Sequence, residues 1–460
     1  MLGKLLSRIS TSEVKLITKL AYPIVLGHLG IVLMGVADTV MVGKLGKVAL
    51  AGVNQANNIF FLFSGLTFGV LFAVSTLVSI KVGEKRPDLG FITYRAGLLV
   101  SVILFIFQYL ILWLLINNFH WLKQSPEIEA IAPEFLKIIA WSVLPMLIFT
   151  NCRQFTDGLG HTKISMVLNL AGLVLNVFLN AILIYGWWGF PALGANGAAW
   201  ATLITRVLMA VAALWYVRYS KLMSQYLPLK MPNFKEIWRE TFEIWKIGTP
   251  IALQTFAEWA CFAISGIMIG WYGSVQLAAH AVALNAASLT YMVASGLSMA
   301  GSIRVGNAYG EQSLSSIRRI ANMTFFLVVL FEIFNAFIFI VFSKQIAGLY
   351  GVESDVMPYI LPLFFLAAFF QISDGLQAAA MSVLRGIKDV VWASIISIIA
   401  YWVVSLPLSY LFGEILQKGV YGVWMGFSAG LFLAAILGVY RFYYQWKRIK
   451  FLPENSALLN

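Results

Sequence analysis

Four acidic residues stand where the sequence is otherwise apolar: Asp38, Glu258, Glu332 and Asp374. An ionised carboxylate at the centre of a membrane-spanning helix costs at least ~3 kcal/mol. A chain that keeps one there needs either a buried partner or a use for a proton or a cation. Only one basic residue, Arg206, falls in the same kind of surroundings, so ion pairing neutralises one of the four acids at most. Asp38, Glu258 and Asp374 are therefore read as groups that bind a proton or cation reversibly. Glu332, beside Asn335 on a Phe-rich stretch, is read as a packing residue.

Amides and hydroxyls accompany the acids. Asn176 and Asn180 are four residues apart, so on a helix both point the same way. Asn169, a heptad before Asn176, extends that face. Thr202 follows in the next apolar run. In the second half the polar groups are Gln254, Asn285, Tyr291, Gln371 and Tyr401, read as candidates for lining a cavity. The four histidines, His28, His120, His161 and His280, show no grouping with acids at one end of the molecule, which argues against an enzyme. The two cysteines, Cys152 and Cys261, have no metal-binding spacing and read as small buried side chains.

The elements that must hold these residues are membrane helices. The chain has 460 residues, is 60% hydrophobic and 11% charged, against about 25% charged in soluble domains. Helices satisfy their own backbone hydrogen bonds, which lipid requires. Windows of ~20 apolar residues predict twelve spans, near 18–43, 54–80, 91–117, 131–156, 164–187, 195–218, 247–271, 280–303, 316–343, 357–384, 391–413 and 420–443. The first reads as an uncleaved span rather than a signal peptide. Pro23 and Pro250 open spans one and seven; each removes a backbone hydrogen bond. Pro23 is read as a hinge and Pro250 as a static kink. The one long polar stretch, 219–246, reads as a cytoplasmic linker between a first lobe, 1–218, and a second, 247–443, with a cytoplasmic tail at 444–460.

Orientation follows from the basic residues. With the N-terminus inside, 25 Lys and Arg fall on inner segments and six on outer ones, so the positive-inside rule places both termini in the cytoplasm. The net charge of +12 then reflects a cytoplasmic face and not nucleic-acid binding. The two halves also repeat. Pro23, Met41, Gly43, Gly46, Leu50, Ala51 and Asn58 recur as Pro250, Met268, Gly270, Gly273, Leu277, Ala278 and Asn285, and SIKVG at 79–83 recurs as SIRVG at 302–306. Six spans per half give a parallel repeat, which predicts a substrate path near the midplane between the halves.

Taken together, P-x14-D-x2-M-x-G at Pro23, Asp38, Met41 and Gly43, the Gly158-Leu159-Gly160 turn, the Asn176–Asn180 pair, Glu258, Gln371 with Asp374, and LRGIKD at 384–389 resemble the multidrug and toxic compound extrusion (MATE) family, in its NorM-like branch. The resemblance covers all twelve spans. It implies an all-α membrane protein of two pseudo-symmetric six-helix lobes, working as a cation-coupled antiporter that exports lipophilic cations. It places a cation pocket at Asp38, Asn176, Asn180 and Thr202, and carboxylates of the second lobe at Glu258 and Asp374. Sodium-coupled relatives carry a Tyr one turn before the span-ten Asp; Phe370 stands there instead, which tilts the reading to H+ over Na+. A transient Na+ would sit at Asp38 or at Glu258 and Asp374. No cofactor or structural metal is expected. The expected partners are small drug-like molecules and membrane lipid, without nucleic acid. The expected setting is the bacterial cytoplasmic membrane, with the chain acting as a monomer. The competing reading is a flippase for a lipid-linked oligosaccharide, but such anionic substrates call for several cavity arginines.

Overall fold

A computed structural model of the protein describes residues 11–228, 232–351 and 355–451. Lys4, Arg8 and Lys230 of the basic count, and the tail from 452 onward, lie outside the described residues. The described chain is helical almost throughout. Eleven helices are long and apolar enough to cross a membrane, and a bent pair, Pro126–Trp141 with Val143–Gly158, makes a twelfth span if counted as one. In order, spans one to three are Thr11–Gly43, Lys47–Gly83 and Pro87–Asn117, and the bent pair is span four. Spans five to eight are Thr162–Tyr185, Ala195–Tyr219, Phe234–Gly270 and Ser274–Gly310. Spans nine to twelve are Leu314–Val341, Met357–Gly386, Val390–Ile415 and Gly419–Trp446.

Several helices exceed what a bilayer requires. Spans two, seven and eight are 37 residues each, against about 20 for the hydrocarbon core. Hydropathy windows stop at the first charges, whereas helical hydrogen bonding continues through them. Span seven thus begins at Phe234, not near 247, and absorbs the last part of the expected 219–246 linker. A short helix, Lys221–Ser224, occupies its beginning. Span one runs unbroken through Pro23, and span seven through Pro250. Span four bends by 44° at Ser142.

The chain forms two compact units, one of Leu20–Val78 and Pro87–Ala263, the other of Met1–Lys19, Ser79–Arg86 and Ile264–Asn460. These cut across the halves expected from sequence: most of span seven clusters with spans one to six. Glycines explain why. In the first unit a Cβ on Gly69 would lie 2.4 Å from Ala252 Cα, and one on Gly248 2.5 Å from Val70 O. Spans two and seven therefore meet backbone to backbone, the close approach that small residues permit in membranes. In the second unit the repeated motifs pack on each other. A Cβ on Gly83 would lie 2.0 Å from Asn307 O, and one on Gly306 2.2 Å from Ser79 Oγ. The start of span one is tied into this unit by Glu13, which accepts from Arg304 at 3.0 Å and from Arg319 at 3.1 Å.

Candidate functional site

The first unit assembles the polar residues of spans one, five and six. Span five presents Asn176 and Asn180 one turn apart, and both are fully buried. Span six returns through a tight connection: Leu193 N–H donates to Leu183 O at 2.9 Å. Gly197 lets the two helices touch, since a Cβ there would lie 2.3 Å from Leu183 O. That register brings Thr202 level with Asn176. Span one is held alongside by the Tyr185 hydroxyl, which donates to Met41 O at 2.7 Å.

Asp38 completes a ring of four side chains. Its Oδ1 accepts from Asn180 Nδ2 at 2.5 Å, and its Oδ2 accepts from Thr202 Oγ1 at 3.4 Å. Asn180 Nδ2 also donates to Asn176 Oδ1 at 3.2 Å, and Asn176 Nδ2 donates to Thr202 Oγ1 at 3.5 Å. Three helices thus converge on one carboxylate through amides and a hydroxyl. Asn180 Oδ1 is buried beside it with no hydrogen-bond partner among the described residues. A carboxylate, amide oxygens and a hydroxyl are the hard-oxygen set that suits a small hard cation. The carboxylate alone suits a proton.

Arg206 lies one turn beyond Thr202 and does not cap the ring. Its Nη1 donates to Ser142 Oγ at 2.6 Å, at the bend of span four, and its guanidinium covers the Phe60 ring at 4.9 Å. It acts on Asp38 electrostatically through space. Asn169 extends the Asn176–Asn180 face along span one, as the heptad spacing suggests. It packs against span one, where its Nδ2 lies 3.1 Å from a Cβ built on Gly27. Its amide atoms have no hydrogen-bond partner among the described residues.

Sequence reasoning passed over a fully buried charge in this unit. Asp157 is fully buried. It accepts from Ser165 Oγ at 2.7 Å and from Arg153 Nε at 3.4 Å. Arg153 also hydrogen-bonds His28 of span one. The predicted end of span four at 156 left Asp157 outside, and Arg153 was counted with the cytoplasmic basic residues although it falls within that window. The signal in the sequence was their spacing of four residues.

The remaining candidates are spread over both units. Gln254 is buried and Glu258 half-buried in the first unit. Asp374 is buried in the second, so these two acids belong to different units. Gln371, also in the second, accepts from Thr290 Oγ1 at 2.6 Å. Asn285 is exposed and accepts from the Tyr350 hydroxyl at 2.9 Å. Tyr291 is half-buried, and Tyr401 is fully buried within a π-helical stretch, Ile399–Ser405. Glu332 is 1% exposed and accepts from Asn335 Nδ2 at 3.2 Å. Its Oε1 would be 3.1 Å from a Cβ on Gly375, the residue after Asp374. Two buried acids of the second unit therefore stand on adjacent helices. Phe370 packs edge-on against Trp424, with ring centroids 5.2 Å apart, and Trp424 Nε1 donates to His280 Nδ1 at 3.1 Å.

Twelve spans in two repeated halves, with a half-buried carboxylate ringed by amides in the first, define a multi-pass membrane transporter. The MatE family model matches residues 23–182 and again 250–411, once in each half. The chain belongs to the MatE family, a family of transporters and not of enzymes. It is 33% identical over 444 residues to a probable multidrug resistance protein NorM of Rhizobium meliloti, covering 95% of this chain and 94% of the relative. Relatives of the same name from Bacillus subtilis and Pseudomonas putida share 30% and 32%, over 92% and 95% of this chain and 94% and 96% of their own. Among solved structures, an outward-facing multidrug resistance MATE family transporter of the MOP superfamily superposes with a TM-score of 0.85 at 20% identity, covering 95% of this chain and 96% of that one. A MOP superfamily transporter from Pyrococcus furiosus superposes at 0.86 and 20% identity, over 96% and 97%. These two likenesses concern the fold.

Proposed function

We propose that this protein is a multidrug efflux antiporter of a bacterial cytoplasmic membrane, exporting lipophilic cations in exchange for protons, with Asp38 as the coupling residue. The ring around Asp38 is the observation that carries the reading, and the NorM names of the relatives agree with it. Ionised, Asp38 accepts from both Asn180 and Thr202. Protonated, it must give up or reverse one of those bonds, and span one then loses part of its tie to spans five and six. Two states of span one follow, weighted by proton occupancy, with Pro23 as the point where the helix yields. Drug and proton need not touch: a ligand moves such an equilibrium by its difference in affinity for the two states. Sodium would fill the same role through the hard oxygens of the ring.

Both termini face the cytoplasm in this reading, on the 25 to six basic asymmetry. The test is ethidium transport by the purified protein in liposomes, driven by a pH gradient alone or a sodium gradient alone. Transport under the pH gradient is expected, competed by cationic dyes more than by anionic ones. Transport under sodium only reassigns the ion, preference for anions favours the flippase reading, and transport under neither sinks antiport. In a cysteine-free background, a cysteine at Ser224 should resist labelling from outside, whereas one at Ser125 should be labelled.

A further inference from the structure

The second unit contains a cavity of about 840 Å³, within the range that holds drug-sized ligands. It lies where spans seven and eight connect and where spans eleven and twelve connect. Four aromatic rings line its wall: Tyr272, Tyr359, Phe365 and Tyr421. The rings of Tyr359 and Tyr421 lie nearly parallel, 18° apart in plane, with centroids separated by 6.3 Å. Glu414 and Lys418 stand at the rim, and both are exposed.

The wall is built rather than left over. Span eleven ends in a π-helical stretch, Leu411–Ile415, a rare geometry that recurs at functional sites. That stretch carries Gly413 into the wall and Glu414 to the rim. Gly413 makes room for the Tyr272 hydroxyl, which would lie 2.6 Å from a Cβ there. The Glu414 carboxylate is close enough to Tyr272 to act on it electrostatically. The following turn needs positive φ at Gln417 and Gly419. It is locked by Gln276, whose Oε1 accepts from Val420 N–H at 2.9 Å. Walls fixed in advance reduce the ordering cost of binding.

Aromatic faces with a carboxylate nearby are the chemistry that recognises organic cations. We propose that this cavity is a second binding site, for a lipophilic organic cation whose charge lies against the tyrosine rings beside Glu414. The site is independent of Asp38 and does not depend on the coupling assigned to it. Lys418 works against the ligand: its ammonium repels a cation and competes for Glu414. The two rim charges therefore have opposite effects, which unspecific partition into the lipid beside Phe365 does not produce.

The test uses the full-length purified protein in lipid nanodiscs and a tetraphenylphosphonium carrying a diazirine on one ring. After irradiation, the label is mapped on peptides. Label on the peptides containing Tyr272 and Glu414–Tyr421, displaced by unlabelled tetraphenylphosphonium, is expected in the wild type and equally in Asp38→Asn. Glu414→Gln should weaken half-maximal labelling by about two- to fivefold, the size of an exposed charge or cation–π contact. Lys418→Gln should strengthen it by a similar factor. Both positions are exposed, so neither change threatens the fold. Absence of displaceable label on these peptides overturns the proposal. Label there that neither rim substitution changes is lipid partition and overturns it too.

Discussion

Replacing Asp38 by Asn separates coupling from structure. The amide has nearly the shape of the carboxylate, and its oxygen still accepts from Asn180 Nδ2, the 2.5 Å bond. What is lost there is charge assistance. A bond to an ionised acceptor contributes ~1.5–3 kcal/mol and a neutral one ~0.5–1.5, so the difference is about 1–1.5 kcal/mol. The bond to Thr202 is already long at 3.4 Å and loses little. Thr202 Oγ1 uses one lone pair on Asn176 Nδ2 and can turn to accept from the new amide with the other. Against these losses, removing an ionised group from mid-membrane recovers at least ~3 kcal/mol. The balance favours the variant slightly, and Asp38→Asn should express and melt at least as well as wild type. Its coupling should vanish, because the amide cannot ionise. A pH gradient of about two units supplies ~2.7 kcal/mol per proton, enough for roughly 100-fold accumulation in one-for-one exchange. The variant should reach no accumulation at all. The assay is ethidium accumulation in proteoliposomes under that gradient, beside dye binding at equal pH. Wild-type accumulation by Asp38→Asn would refute the mechanism. Loss of folded protein would assign Asp38 to structure.

Two other substitutions bear on the structure around the acids. Asp157→Asn should behave in the opposite way to Asp38→Asn, because Asp157 is fully buried and holds Arg153, whose side chain is 11% exposed. Weakening one partner of such a buried pair should cost up to ~3–5 kcal/mol, read as a lower melting temperature and lower yield, and an unchanged melt would show the pair to be dispensable. Gly375→Ala places a methyl 2.7 Å from Glu332 Cγ and 3.0 Å from Val328 Cγ1, an overpacking worth ~1–3 kcal/mol. Combined with Glu332→Asp, which withdraws one methylene, the loss should be less than the sum of the two; strict additivity would show that the residues do not touch.

The membrane class, the approximate position of every span and the shared face of Asn176 and Asn180 were legible because each rests on facts about one helix at a time, whereas the gathering of Asp38 and Thr202 onto that face was implied only by the family resemblance. Apolar runs mark spans, and a four-residue spacing puts Asn176 and Asn180 on one face whatever they meet. The helix ends were not legible, because charges end a hydropathy window without ending a helix; Phe234 to Lys246 continue span seven for that reason. The bend of span four was legible but not read: Pro145 has no N–H to give Trp141 O and its ring crowds that carbonyl, just before the break at Ser142. The Ser142 hydroxyl donates to Ile139 O at 2.6 Å and accepts from Arg206 in another helix. Asp157 was missed through the same boundary error, and a heptad says which residues share a face, as Asn169 does with Asn176, not which neighbour that face meets. The repeat shows the distinction most clearly. The offset between Gly83 and Gly306 announced two related halves. Only the fold adds that these motifs lie in one compact unit, Gly83 on Asn307 and Gly306 on Ser79. The same small residues that mark the duplication are the ones through which its two copies pack, so a larger side chain at either glycine strikes the other copy.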